Sequence, residues 1–68
     1  MGNPVKDQQF DAVSILYHAL QGANTCRTYI EDAAQSGDKD LEKFFHEVND
    51  HYQQIAAKAK QVVKQKIA

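Results

Sequence analysis

Apolar residues recur between positions 12 and 33 at alternating steps of four and three: Ala12, Leu16, Ala19, Ala23, Cys26, Ile30 and Ala33. That spacing gathers them into one seam along an α-helix, and most of its members are small. Phe10, Val13, Tyr17 and Leu20 form a second row beside it. Together the two rows give the amino-terminal half of this helix an apolar face wider than one neighbouring helix covers. A second series, Leu41, Phe45, Val48, Tyr52, Ile55, Ala59 and Val62, alternates by four and three without interruption, flanked by Phe44, Ala56, Val63 and Ile67. Strand-type alternation is absent, and the chain reads as all-α.

The break between the two series has its own chemistry. Gly37 reaches the left-handed conformation without Cβ strain and suits the residue just past a helix end. Asp38 follows as a candidate N-cap, and Asp40 and Glu42 put negative charge on the first turn of the next helix. At the other end Asn3 and Pro4 are a favoured N-cap and first helical residue. The pattern therefore predicts a single domain over residues 1–68, with a helix over about 4–36, a turn at 37–38 and a helix over about 39–67. With the turn at Gly37, Ile30 comes level with Phe45 and Ala23 with Tyr52, large against small, which favours an antiparallel hairpin. Each helix is then about 45–50 Å long at ~1.5 Å per residue. Gly22 costs about 1 kcal/mol in a helix interior relative to Ala, unless it admits the close approach of a neighbour.

Length raises the question of what completes the core. Sixty-eight residues bury little apolar area alone, and such chains commonly draw on disulfides, metals or oligomerisation. Cys26 is the one cysteine, so no intramolecular disulfide forms. The two seams suffice to hold a hairpin together, which leaves Phe10, Val13, Tyr17 and Leu20 on the first helix and Phe44, Ala56, Val63 and Ile67 on the second as an expected dimer interface. A two-fold pairing of hairpins makes a four-helix bundle.

Charge is nearly balanced at −1, which argues against general nucleic-acid binding. Its layout is uneven. Between Glu31 and Asp50 seven acidic side chains accompany Lys39 and Lys43, whereas Lys58, Lys60, Lys64 and Lys66 follow with no acid among them. These lysines suit a helix C-terminus, and they are also the candidate contact for an acidic protein partner. No apolar run resembles a signal peptide or reaches the ~20 residues of a membrane span. The expectation is a cytoplasmic protein without a membrane role.

Candidate chemistry is sparse. Glu47 and His51 are four apart, as are His46 and Asp50, so Glu47, Asp50 and His51 are the one set that could chelate a metal. They flank Val48 and Tyr52 and do not replace them in the seam. Asn24 and Arg27, level with them on the first helix, are poor additions to such a set. His18 has no orienting acid on its own face. Cys26 sits in the small-residue seam, where a thiol behaves as a small buried hydrophobe, and a Cys26–His51 nucleophile pair lacks a third group. Tyr17, Tyr29 and Tyr52 suit core edges, with hydroxyls that need partners when buried. Phosphate-binding loops, nucleophile elbows and zinc spacings are missing. No cofactor, catalytic residue or enzymatic activity is expected.

From Tyr29 to Ala59, with Ala33-Ala34, Gly37-Asp38, Leu41 and the Phe44-Phe45 pair, the chain resembles the ferritin-like superfamily in its small rubrerythrin-type or encapsulated-ferritin-type hairpins. The resemblance implies a hairpin that pairs into a four-helix bundle. In such proteins a Glu on the first helix and a Glu-x-x-His on the second bind iron. Here those positions fall on Gly22 or Ala23 and on Tyr52 and Ile55. The resulting expectation is a non-enzymatic, homodimeric structural or interaction protein. The alternatives are an atypical ferritin-like metal protein using Glu47, Asp50 and His51, and an adaptor that meets an acidic partner through its carboxy-terminal lysines.

Overall fold

Two α-helices run antiparallel in the computed structural model, which describes the backbone of residues 4–67 and the side chains of 8 and 10–66. Helix α1 spans Pro4–Ser36 and α2 spans Lys39–Ile67, packed along one another as a hairpin. The Asn3 cap, and Ile67 as an interface residue, lie outside the described positions.

The turn is a Schellman motif joined directly to an N-cap. Gly37 has φ +77°, and its N–H donates to the Ala34 carbonyl at 3.2 Å while the Asp38 N–H donates to Ala33 at 3.1 Å. The Ala33 carbonyl also accepts the Ser36 hydroxyl at 3.0 Å. Carbonyls that α1 would otherwise leave open are thus satisfied within a few residues. Asp38 then starts α2: its Oδ1 accepts the Leu41 N–H at 3.0 Å and its carbonyl accepts the Glu42 N–H at 2.9 Å. One residue closes α1 and caps α2, so the reversal is tight.

On α1 the expected seam faces α2. Ala19, Cys26 and Ala33 are buried, with Ala12, Leu16, Ala23 and Ile30 half-buried between them. On α2 the inward row departs from the strict heptad. It runs through Phe45, Val48, Tyr52, Ala56, Ala59 and Val63, five steps that keep the ~3.6-residue period of an α-helix. Leu41, Ile55 and Val62, expected in the seam, are 41%, 46% and 42% exposed, whereas Ala56, expected on the flank, is only 7% exposed. An unsupercoiled helix drifts ~20° per heptad away from a 3.5-residue row. By the second half of α2 the inward place has passed from Ile55 to Ala56 and from Val62 to Val63.

The rings of α2 lean to one flank. A Cβ on Gly22 would come within 2.6 Å of Cε1 and Cζ of Tyr52, so that ring lies over Gly22, one residue from the expected Ala23. Phe45 meets Tyr29 at a ring-centroid distance of 5.4 Å, one residue from Ile30, and Phe44 at 5.7 Å.

Candidate interaction surface

A hairpin is a single layer, and this one measures 49 × 23 × 12 Å. The smallest dimension is that of one helix, so each flat face of the layer meets solvent. What the helices bury between them is small: Ala19, Cys26, Ala33, Ala56 and Ala59, with no large side chain fully enclosed among the described residues. Many of the large apolar groups are outside. Phe10 is 70% exposed, Tyr17 59%, Ile15 and Phe44 54% and Leu20 51%.

Two grooves follow the junction of the helices, one on each flank. The first, about 680 Å³, has Gly22 and Cys26 along its floor and Ile15, Tyr29, Phe44 and Ile55 on its walls. Its lining holds no Asp, Glu, Lys or Arg, and His18 is its one basic residue; the His18 ring packs edge-on against Tyr17 at 5.6 Å. The second, about 710 Å³, is more polar: Tyr17, Leu20 and Ala56 share it with Arg27, Lys60, Asn24 and Gln53.

The residues expected at a dimer interface therefore do not share one surface. Phe44 opens on the first groove, whereas Tyr17 and Leu20 open on the second. Ala56 is buried against α1, Val63 is half-buried, and Phe10 and Val13 are exposed nearer the open end. Ile15 belongs to neither apolar row read from the sequence. Its signal is the seven-residue spacing Ile15, Gly22, Tyr29, which gives the first groove its α1 wall.

Glu47, Asp50 and His51 are exposed on α2, as is His46. No group of three or more His, Cys, Asp or Glu side chains among the described residues is placed to hold a metal ion. Cys26 is 4% exposed on the floor of the first groove, while His51 is exposed. Lys58, Lys60 and Lys64 are exposed, and Lys60 reaches the second groove beside Arg27. Among the described residues one polar atom stands out: Oδ1 of the half-buried Asn49 is enclosed without a hydrogen-bond partner. Among the described residues no helix is long and apolar enough to cross a membrane. Comparison with protein-family models, with curated proteins and with solved structures returns no significant match for this chain.

Proposed function

We propose that this chain is a structural or interaction module without enzymatic activity, and that it works as a homodimer whose two hairpins form a four-helix bundle. The observation that carries the reading is the ratio of exposed to buried apolar groups. Among the described residues the hairpin encloses four alanines and a cysteine while ten large hydrophobic side chains remain exposed. Domains are ordinarily built from two packed layers around a shared core, and this chain supplies one.

Area supports the same reading. A compact monomer of 7.7 kDa has about 4,300 Å² of accessible surface by the usual scaling, whereas this chain has 5517 Å². The surplus, roughly 1,200 Å², exceeds the ~800 Å² each partner contributes to a standard interface. The first groove is the face that fits a second copy, because its walls are apolar and nearly uncharged, as the centre of an obligate interface is. A self-complementary patch pairs by two-fold symmetry and closes the assembly at two chains.

Sedimentation equilibrium at micromolar concentration tests this directly. The expected species has twice the 7.7 kDa chain mass; a folded species of single-chain mass would overturn the proposal.

A further inference from the structure

Helix α2 also carries an apolar row, two of whose members, Val48 and Ile55, line the first groove, with a period that the inward row lacks. Leu41, Val48, Ile55 and Val62 stand seven residues apart, and Leu41, Ile55 and Val62 are each more than two-fifths exposed. A seven-residue row stays in register along its length only with another helix wound beside it. Past Tyr52 that helix is not α1, because there the row facing α1 runs instead through Ala56, Ala59 and Val63, and Val48 alone belongs to both rows. Resting on the reading that a second copy covers this face, we infer that the two copies pair α2 against α2 in antiparallel directions, the turn end of each hairpin over the open end of its partner.

Charge distinguishes the two possible two-fold arrangements. With turns side by side, the seven acidic residues between Glu31 and Asp50 of one copy meet the same seven of the other, with Lys39 and Lys43 the only cations in that stretch. With turns at opposite ends, Asp40 and Glu47 of each α2 run along the partner's lysine-bearing half. Screening over ~8 Å at physiological ionic strength weakens distant pairs but leaves neighbouring charges on packed helices in contact. The two-fold axis crosses the middle of the row, near His51 and Tyr52.

A spin label at each turn measures the arrangement. In a Cys26→Ala background, Gln35→Cys attaches one label per chain at an exposed position next to the turn, and pulsed electron paramagnetic resonance reads the distance across the dimer. The expected value is roughly 40 Å, twice the rise from Asp38 to Tyr52 at ~1.5 Å per residue. A distance within about 20 Å, two helix spacings, overturns the antiparallel arrangement while leaving the dimer intact. Single-chain mass with no distance between labels overturns the dimer itself. Lys39→Cys, exposed at the start of α2, repeats the measurement if the first variant fails to fold, with a similar long distance expected.

Discussion

The ring of Tyr52 lies over Gly22, so close that a Cβ at position 22 would fall 2.6 Å from Cζ and 2.9 Å from Cδ1. Gly22 is therefore helical at a cost of about 1 kcal/mol relative to Ala, and that cost is offset by letting an aromatic ring settle against backbone. The contact also explains the lean of the α2 rings toward the first groove, since position 22 is the one gap in the Ile15–Tyr29 row.

Gly22→Ala is accordingly expected to destabilise the protein by about 1–3 kcal/mol, the usual cost of overpacking, although the same change stabilises an open helix. In a Tyr52→Ala background the sign should reverse, toward a gain of up to about 1 kcal/mol. Denaturant titrations of the four proteins in this cycle check the coupling. Stabilisation by Gly22→Ala in the otherwise unchanged chain would mean that Tyr52 does not rest there.

At the turn, Gly37→Ala should cost about 1–2 kcal/mol, because a Cβ at φ +77° is strained. Asp38→Ala should cost about 1 kcal/mol through loss of the bond to the Leu41 N–H. Asp38→Asn keeps an acceptor at the same place and should be close to neutral. Thermal unfolding of the three variants tests the order; equal losses for the Asn and Ala variants would show that the cap contributes nothing.

Ile55 separates a lone hairpin from an assembled one. At 46% exposure in a single chain, replacement by Glu is a surface change worth about 0.5 kcal/mol either way. Buried at the centre of a two-fold interface, the same carboxylate is desolvated without a partner, and the dimer should dissociate or unfold. Chromatography with in-line mass measurement reads the difference. An unchanged dimer would place the interface elsewhere on the hairpin.

For the exposed set Glu47, Asp50 and His51, addition of micromolar iron(II), zinc or manganese should leave the melting temperature where it was. A metal-dependent rise that disappears in Glu47→Ala and His51→Ala variants would establish a site.

The hairpin is legible in the sequence because its signals are local. Gly37 and Asp38 specify the reversal by local chemistry alone, and the four-and-three seam of mostly small residues on α1 continues through Cys26, Ile30 and Ala33 after the neighbouring row has ended at Leu20. The inward face of α2 is harder. Ile55-Ala56 and Val62-Val63 each offer an apolar residue at both candidate positions, and periods of ~3.5 and ~3.6 differ by only ~20° per heptad. The choice is made by packing against α1, which accepts Ala56 and turns Ile55 outward. The candidate surface was half legible for a related reason. Phe44 reads as an apolar residue beside the seam, but Ile15 stands outside both rows until Tyr52 fills the gap at Gly22.

The claim that a second copy completes the core is tested most directly by the dependence of unfolding on protein concentration. If folding and association are coupled, the denaturant midpoint and the melting temperature both rise as chain concentration increases, because dilution favours the separated, unfolded chains. The expected result is a steady rise in both across a hundredfold range from micromolar upward. Midpoints that stay fixed across that range would show a hairpin stable by itself, and would contradict the bundle.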